Sequence, residues 1–212
     1  MARAKICGLS TPETLAAALD GGAAFVGFNF FPASPRCVTP EAAARLAPAA
    51  RGRAAVVAVT VDPDDALLDR LTAILRPDFI QLHGKETPAR AREAAVRTGA
   101  GVIKALPVSG AGDLDAARAF EPVVDHLMFD TRPPPDAAMP GGLGRAFDWT
   151  LLEGRRFARP WLLAGGLDPW NVAEALRLTG APVADVSSGV ERGAGIKDPG
   201  LISAFLEAVR RA

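Results

Sequence analysis

The chain has 212 residues, of which 49% are hydrophobic, so it is long enough to bury a large core within one domain. Lys plus Arg and Asp plus Glu each number 24, which gives a formal net charge of zero. That balance excludes a general electrostatic affinity for nucleic acid or for a membrane surface. We therefore expect any anionic ligand to be bound by local groups.

The N-terminal segment and the two cysteines predict a cytoplasmic protein. Residues 1–10 contain Arg3 and Lys5 but reach Cys7 after a very short apolar stretch, so they lack the apolar core of a signal peptide. No run approaches the about 20 apolar residues that a membrane span requires. Structural disulfides are rare in the reducing cytosol, so we expect Cys7 and Cys37 to be free thiols.

Short apolar runs rich in β-branched residues recur along the chain and are typical of buried parallel strands. Between them lie stretches of helical period, in one of which Leu68, Leu71 and Leu75 share an apolar stripe. This alternation predicts a parallel α/β fold. The predicted strands are, in chain order, Lys5–Ile6, Ala24–Phe30, Ala55–Val61, Phe79–Leu82, Val102–Leu106, His126–Phe129, Trp161–Leu163 and Ala184–Val186.

Capping residues and glycines predict where the helices begin and end. A Thr or Asp before a proline supplies a capping oxygen next to a residue that suits the first helical position. Glycine after a helical stretch favours a left-handed C-terminal residue. The predicted starts are Thr11-Pro12, Thr39-Pro40, Thr87-Pro88, Asp168-Pro169 and Asp198-Pro199, and the predicted ends are Gly21-Gly22, Gly99 and Gly180.

Eight predicted strands, each followed by a predicted helical segment, favour a single (β/α)8 TIM barrel with parallel strands, in which residues 1–212 form one catalytic domain. An open doubly wound sheet predicts similar local patterns and stays an alternative on the count alone. Residues 131–144 lie between a strand and a helix and are rich in Pro and Gly, which indicates a long functional loop.

Two residues at predicted strand ends are candidates for proton transfer, because β/α barrels carry their chemistry where strands end and loops begin. Cys7 ends the first strand, and its thiol can act as a base if neighbours lower its pKa. A small buried hydrophobe is the alternative. Asp130 ends the sixth strand and is a candidate general acid, or else a capping residue for the loop that starts at Thr131.

Three more residues at the same predicted rim are candidates for substrate binding. Arg36 lies in a loop stiffened by two prolines, where a guanidinium could clamp a carboxylate or phosphate; a solvated surface arginine is the alternative. His83 could bind substrate or orient a neighbouring side chain. Asp185 ends the eighth predicted strand.

Glycine-rich segments in the late loops favour a phosphate site. Loops after strands seven and eight of this fold often bind phosphate through backbone N–H groups and a helix N-terminus. One Gly-Gly pair is usually only a turn, but clusters at two consecutive late strand ends favour phosphate binding. The segments are Gly141-Gly142-Leu143-Gly144, Gly165-Gly166 and Ser187-Ser188-Gly189.

Motifs at the predicted strand ends form one series along nearly the whole chain. They are Lys5-Ile6-Cys7-Gly8, Gly27-Phe28-Asn29-Phe30-Phe31-Pro32 with Ser34-Pro35-Arg36, Gln81-Leu82-His83-Gly84, Phe129-Asp130, Gly141-Gly142-Leu143-Gly144 with Phe147-Asp148-Trp149, Ala164-Gly165-Gly166-Leu167, and Asp185-Val186-Ser187-Ser188-Gly189-Val190-Glu191. In order and spacing this series resembles that of the phosphoribosylanthranilate isomerase family. The first and last motifs are specific in combination.

The resemblance implies a (β/α)8 barrel that converts N-(5-phosphoribosyl)anthranilate to 1-(2-carboxyphenylamino)-1-deoxyribulose 5-phosphate in tryptophan biosynthesis, without cofactor or metal. By position, Cys7 matches the family's general base, which removes the C2 proton of the ring-opened Schiff base. Asp130 matches its general acid, which protonates the ribose ring oxygen. Arg36 matches the arginine that binds the anthranilate carboxylate, and Asp185 matches an aspartate near the substrate.

The same resemblance assigns the substrate phosphate to the late loops and shows few departures. The family often has an aromatic residue or histidine at Cys37, lysine at Arg145 and a small or polar residue at Leu143. The expected phosphate ligands are backbone N–H groups of Gly142, Gly144, Gly166, Ser188 and Gly189, in one site with Gly165.

Three other functions stay open as alternatives. Another phosphate-binding barrel, such as indole-3-glycerol-phosphate synthase, a tryptophan synthase α-like protein or a histidine-pathway isomerase, would share the late-loop site but not Cys7 with Asp130. A degenerate binding module would keep the phosphate site without catalysis. A thiol-redox protein would use Cys7 and Cys37, which lie far apart and form no Cys-x-x-Cys motif. The expected partner is a small phosphorylated substrate, and Arg- and Glu-rich helix faces favour a monomer over a homodimer.

Overall fold

The computed structural model describes residues 1–134, 141, 144 and 146–212. Eight parallel strands pair in sequence order, and the eighth pairs with the first, so the sheet closes into a barrel. Closure confirms the predicted (β/α)8 fold and removes the open-sheet alternative. The strands are β1 (Arg3–Cys7), β2 (Phe25–Asn29), β3 (Ala55–Thr60), β4 (Phe79–Leu82), β5 (Gly101–Val108), β6 (His126–Thr131), β7 (Trp161–Leu163) and β8 (Val183–Val186).

Helices follow most of the strands. The α-helices are α1 (Pro12–Asp20), α2 (Pro40–Leu46), α3 (Asp65–Ile74), α4 (Pro88–Thr98), α5 (Ala117–Phe120), α6 (Val172–Thr179) and α7 (Pro199–Arg211), and the 3-10 helices are Ala47–Ala50, Ala111–Ala116, Trp149–Leu152 and Ser188–Val190. In the described ranges none of these helices has the length and apolar character needed to cross a bilayer.

The connection from β6 to β7 differs from the other connections in the kind of helix that it contains. The described part of that connection contains only the 3-10 helix Trp149–Leu152. Pro133 and Pro134 lie just after β6, separated from it by Arg132, and proline lacks the backbone N–H that a helix interior needs. Most of residues 131–144, which are predicted to form one functional loop, lie outside the described residues.

Four of the five predicted helix starts are confirmed by a capping side chain that accepts a backbone N–H. They are Thr11, Thr39, Thr87 and Asp198. The start at Asp168-Pro169 is wrong, because α6 begins at Val172. Oδ1 of Asp168 accepts the N–H groups of Trp170 and Asn171, and this turn delays the helix.

The predicted helix ends are confirmed where a left-handed residue is needed. Gly99 and Gly180 end α4 and α6 with φ of +66° and +67°. After α1 the left-handed residue is Gly22, with φ of +82°, whereas Gly21 keeps a helical backbone. Glycine adopts these angles without the steric penalty that a Cβ would bring.

The core has two parts that follow from the alternation of side chains along the strands. Alternate strand residues such as Ile6 and Phe28 pack against the surrounding helices. The other residues, including Val57, Ile103 and Met128, form a separate cluster that fills the barrel and ends at Cys7 on β1. The mouth of the barrel therefore rests on a packed apolar base.

A short hairpin after β8 brings two charged residues towards this mouth. Its antiparallel strands are β9 (Glu191–Gly193) and β10 (Ile196–Lys197). Gly195 in the turn has φ of +77°, and a Cβ there would lie 2.6 Å from the carbonyl oxygen of Pro35. The hairpin thus packs closely on the loop that carries Arg36.

Candidate active site

Two adjoining clefts lie at the C-terminal ends of the strands. The first is lined by residues that include Cys7, Arg36, Gln81 and His83. The second is lined by residues that include Gly144, Gly165, Gly166 and Ser188. Residues common to both are Asp130, Gly141, Asp185 and Ser187. Every described candidate except Gly189 therefore lines one of these clefts, and Gly142, also predicted to bind phosphate, lies outside the described residues.

Cys7 lies beside a buried ion pair. Lys5, which is 0% exposed, donates to Oδ1 of Asp185 at 2.7 Å across the β1–β8 contact. On the neighbouring strand, a Cβ at Gly27 would lie 3.3 Å from Sγ of Cys7 and 3.4 Å from Nζ of Lys5. The missing side chain at Gly27 therefore leaves room for the ammonium and the thiol to approach each other.

Opposing effects set the protonation of Cys7. Burial is the largest and raises the pKa of the thiol; Lys5 and Lys197 lower it and Asp185 raises it, so that the pKa is raised in sum. Burial also disfavours the Lys5 ammonium, but Asp185 and Cys7 outweigh burial and raise the Lys5 pKa. Lys5 and Lys197 therefore favour the thiolate form, and they offset part of the rise in pKa that burial causes.

Asp130 is held by a chain of hydrogen bonds that starts on β4. Nε2 of His83 lies 3.0 Å from Oδ2 of Asp130, and Nε2 of Gln81 lies 2.8 Å from Nδ1 of His83. An amide nitrogen only donates, so Nδ1 accepts, and a neutral His83 carries its proton on Nε2 and donates it to Asp130. The geometry therefore favours His83 as the residue that orients Asp130.

Two glycines pass close to Asp130. A Cβ at Gly141 would lie 2.6 Å from Oδ2 of Asp130 and 2.8 Å from Nε2 of His83. Gly165 has φ of +88°, and a Cβ there would lie 3.1 Å from Oδ1 of Asp130, which already accepts the backbone N–H of Thr131 at 2.8 Å. Glycine at both positions lets the backbone cover the carboxyl group on two sides.

Arg36 is buried and bound by a carboxylate, so the alternative of a solvated surface arginine is wrong. Its Nε and Nη2 donate to Oε1 and Oε2 of Glu191 at 2.7 and 2.9 Å. Lys197 donates to Oε1 of Glu191 at 2.5 Å and to the carbonyl of Ser187 at 2.9 Å. Burial opposes the Glu191 carboxylate, yet Arg36 and Lys197 outweigh it and lower the Glu191 pKa.

This cluster of two cations and one carboxylate has a net positive charge beside the cleft. Glu191 occupies the edge of the Arg36 guanidinium that is formed by Nε and Nη2. The side chain reaches this position because Gly8 has no Cβ, which would lie 2.8 Å from Cδ of Arg36. The cluster is suited to bind an anionic group.

The late glycine segments line the second cleft. Gly144, Gly165 and Gly166 have φ of +70°, +88° and +66°, and the short helix Ser188–Val190 begins at its edge. Gly189 packs against the chain around Leu167 and Asp168 instead of lining the cleft. Backbone N–H groups and glycines in this arrangement are suited to bind an anion such as phosphate.

Comparison with known proteins identifies the family. Residues 4–208 match the family described as N-(5'-phosphoribosyl)anthranilate (PRA) isomerase. The chain belongs to the phosphoribosylanthranilate isomerase family. A relative named N-(5'-phosphoribosyl)anthranilate isomerase, from Caulobacter vibrioides, is 66% identical over 210 residues, which cover 99% of this chain and 96% of that protein.

Solved phosphoribosylanthranilate isomerase structures superimpose on the whole chain. The enzyme from Thermotoga maritima is 34% identical with a TM-score of 0.89, and 100% of each chain is covered. Another, in complex with reduced 1-(o-carboxyphenylamino)-1-deoxyribulose 5-phosphate, is 32% identical with a TM-score of 0.86 and the same coverage. These matches confirm the family that the motif series predicted.

Four polar residues of this phosphoribosylanthranilate isomerase family member contact the candidates but have no role in the sequence analysis: Lys5, Gln81, Glu191 and Lys197. Lys5 and Gln81 lie inside apolar strand runs, and a polar side chain there needs a buried partner, which is a signal that sequence reasoning could have used. The pairing of Glu191 with Arg36 joins residues 155 positions apart and leaves no local signal.

The cysteines are both free, as predicted. Cys7 is buried at the mouth of the barrel, whereas Cys37 is exposed. No disulfide links them, which argues against a redox pair.

Proposed function

We propose that the chain isomerises N-(5'-phosphoribosyl)anthranilate to 1-(2-carboxyphenylamino)-1-deoxyribulose 5-phosphate, a step of tryptophan biosynthesis, by general acid–base catalysis. The observation that carries the proposal is that Cys7 and Asp130 line one cleft, and that Asp130 also lines the glycine-rich cleft beside it. A substrate with a carboxylate at one end and a phosphate at the other would place its ribose next to both residues. Membership of the family supports the same reaction.

Asp130 is the proposed general acid of the first step. Its carboxyl proton passes to the ribose ring oxygen, the bond from that oxygen to C1 breaks, and the lone pair of the anilino nitrogen forms the C1=N bond. The products of this step are the open-chain iminium and the Asp130 carboxylate. The carboxylate is met by hydrogen bonds from His83 and from the backbone N–H of Thr131.

Cys7 is the proposed general base of the second step. The thiolate takes the proton from C2, the C–H electron pair forms C1=C2, and the iminium nitrogen recovers its lone pair, which gives the enolamine. Transfer of a proton to C1 and loss of the C2 hydroxyl proton then complete the ketone. The ammonium of Lys5, held by Asp185, supports the thiolate form through charge.

Binding groups lie at both ends of the proposed substrate. We assign the anthranilate carboxylate to Arg36 and its positively charged surroundings. We assign the phosphate to the cleft lined by Gly144, Gly165, Gly166 and Ser188. Asp185 lines both clefts and acts on Cys7 through Lys5.

The remaining assignments concern the state of the protein. Each proposed step is a proton transfer, so the reaction needs no cofactor or metal. We propose that residues 1–212 act as one catalytic domain in the cytoplasm and as a monomer. Exposed ion pairs between α3 and α4, such as Arg97 with Asp69, support a solvated surface there. Light scattering at several protein concentrations tests the monomer.

A steady-state assay with freshly formed phosphoribosylanthranilate tests the reaction. The fluorescence of the anthranilate sugar should decay continuously as substrate is turned over. A binding module would change the fluorescence only of the substrate that it binds, at most in proportion to the protein present. The aminoaldose substrate of the histidine pathway, assayed in parallel, should be turned over far more slowly. Absence of turnover with the first substrate, or faster turnover of the second, would contradict the proposal.

Inorganic phosphate tests the glycine-rich cleft. It should inhibit competitively, and Gly166→Val should raise KM because the added side chain blocks the anion. Gly180→Val is the matched control, since its φ of +67° is almost that of Gly166 but it lies at the end of α6. Purely non-competitive inhibition, or equal effects of the two substitutions, would count against this phosphate site.

A further inference from the structure

Gln81 reaches Asp130 only through His83, yet its amide decides where the imidazole proton lies. The side chain on β4 is completely buried, its Nε2 is 2.8 Å from Nδ1 of His83, and the same atom is 3.5 Å from Sδ of Met128. Within the described part of the chain, the buried Oε1 of Gln81 has no hydrogen-bond partner. A buried carbonyl without a donor is unfavourable, so this orientation of the amide carries a penalty.

In the observed orientation Oδ2 of Asp130 accepts a hydrogen bond from His83 and does not share a proton of its own with the imidazole. While Gln81 donates to Nδ1, a neutral His83 has its single proton on Nε2 and donates it to Oδ2 of Asp130. The carboxyl group is then the acceptor and carries no proton towards His83. A general acid needs the opposite arrangement, in which a proton is shared between Asp130 and Nε2 while Nδ1 holds the other proton.

Half a turn of the Gln81 amide supplies that arrangement without moving any other group. The turn exchanges Oε1 and Nε2, which are of nearly equal size, so packing is preserved. Oε1 then accepts Nδ1–H of His83 and gains a partner, while Nε2 leaves its contacts with His83 and with Sδ of Met128. Nε2 of His83 becomes able to share a second proton with Asp130.

We propose that Gln81 is a positioning residue whose amide, by accepting the Nδ1–H of His83, keeps a proton available on Asp130 for the ring-opening step. This inference rests on the proposed function only in naming that step. The pair of His83 and Asp130 holds one proton when Gln81 donates and two when Gln81 accepts. The proton delivered to the substrate returns to the pair from solvent after product release.

Other charged groups near the pair do not replace this contact. Lys104 on β5 is held by Glu86 and by the carbonyl oxygens of Leu82 and Gly84, next to His83 in the chain. Further titratable or charged groups that line the same cleft are Arg36 from the loop after β2, Asp185 from β8 and the Cys7 thiol from β1. The two ring nitrogens of His83 contact Gln81 and Asp130.

The histidine content of the chain makes the test direct. With only two histidines, a ¹⁵N-histidine-labelled protein gives two ring systems, and His126→Asn assigns them. His126 is the first residue of β6 and therefore lies at the N-terminal end of the barrel strands, away from the clefts. It serves as an internal reference. We expect Nδ1 of His83 to gain its proton on acidification at the same pH midpoint as the alkaline limb of kcat.

Two substitutions at Gln81 should move that midpoint in opposite directions. Gln81→Met removes the acceptor at similar volume, so the midpoint should fall. We expect kcat at alkaline pH to fall about 10-fold with KM nearly unchanged, less than the about 10²- to 10⁴-fold loss when a general acid is removed. Gln81→Glu is a permanent acceptor and should raise the midpoint.

Clear outcomes would overturn the inference. They are an Nδ1 that stays unprotonated throughout the pH range of activity, a midpoint that Gln81→Met leaves unchanged, or a shift of the same sign in both variants. If Gln81→Glu does not fold, the wild-type titration and Gln81→Met still decide. The nuclear magnetic resonance titration is independent of turnover, so a failure of the proposed reaction is seen separately in the assay.

Discussion

The two sides of the barrel mouth control proton transfer by different means. On the side of β1 and β8, Cys7 lies among charges: Lys5 paired with Asp185, and Lys197 paired with Glu191. On the side of β4 and β6, Asp130 meets a neutral chain of hydrogen bonds from His83 and Gln81. The protonation of the base therefore depends on burial and on nearby charges, and that of the acid on which neighbour donates a hydrogen bond and which accepts it.

This difference predicts different responses to the loss of a neighbour. Removing a buried charge leaves its partner uncompensated, which affects folding as well as chemistry. Removing a hydrogen-bond partner from the neutral chain leaves no uncompensated charge and should act mainly on proton transfer. Substitutions on the two sides of the mouth should therefore differ in their effects on stability and on turnover.

Cys7→Ala and Asp130→Asn should have the largest effects on turnover. Neither replacement can transfer a proton, so kcat should fall by about 10²- to 10⁴-fold with little change in KM. Circular dichroism would check folding, and Cys37→Ser is the control for loss of a thiol, because Cys37 is exposed. Near-normal kcat for Cys7→Ala on purified substrate would refute the thiol base and make His83 the next candidate.

Lys5→Met should lower the stability of the protein more than any change on the side of Asp130. It leaves the Asp185 carboxylate buried without its cation, and such a loss typically costs about 3–5 kcal/mol. Denaturant unfolding measures the change. The double variant Lys5→Met/Asp185→Asn removes both charges and should recover part of the stability.

The same two variants separate stability from catalysis. Because Lys5 lowers the pKa of Cys7 against the larger effect of burial, Lys5→Met should raise that pKa further. Activity at neutral pH should therefore stay low in the double variant even where stability returns. Full recovery of both properties would show that Lys5 is needed only for folding.

Arg36→Ala should act chiefly on substrate binding. The guanidinium is proposed to bind the carboxylate in both the ground and the transition state. Its loss should weaken substrate binding by about 2 kcal/mol, so KM should rise roughly 30-fold while kcat changes little. Arg51→Ala, at a more exposed arginine on the outside of the barrel, is the control. Unchanged KM and kcat for Arg36→Ala would remove the assignment of the carboxylate to Arg36.

The positions of the candidate residues could be predicted from the sequence because strand runs and helix caps are local signals. Thr87 before Pro88 marks the start of α4, and the buried run before Asp130 places this residue near the end of β6, which extends to Thr131. The start of α6 was missed because Asp168 forms its hydrogen bonds within a turn. Such a choice between turn and cap depends on backbone geometry that the residue types alone do not determine.

The electrostatics of the site could not be predicted in the same way. The pKa of Cys7 depends on how deeply the thiol is buried and on ammonium groups from β1 and β10, neither of which the residue types alone reveal. The burial of Arg36 against Glu191 depends on the hairpin after β8. Both are properties of the closed barrel, in which residues at opposite ends of the chain become neighbours.

The proposed base, Cys7, should make the reaction depend on pH, because its thiolate fraction changes about tenfold per pH unit below the pKa of the thiol. The pKa of the Cys7 thiol is raised, so the protonated form dominates at neutral pH and the thiolate fraction grows about tenfold per unit as pH rises towards that pKa. Alkylation of Cys7 by iodoacetamide in a Cys37→Ser background should follow this slope. On the acidic side kcat/KM should fall with the same slope, because protonation removes the base.

The alkylation experiment also distinguishes the two sides of the mouth. A bound product analogue should protect Cys7, and Lys5→Met should slow alkylation at a given pH, because the thiolate loses its supporting charge. Gln81→Met should leave the alkylation rate unchanged, since it acts on Asp130 through His83 and not on Cys7. A rate that is independent of pH below neutrality would mean a preformed thiolate, and charge rather than burial would then dominate at Cys7.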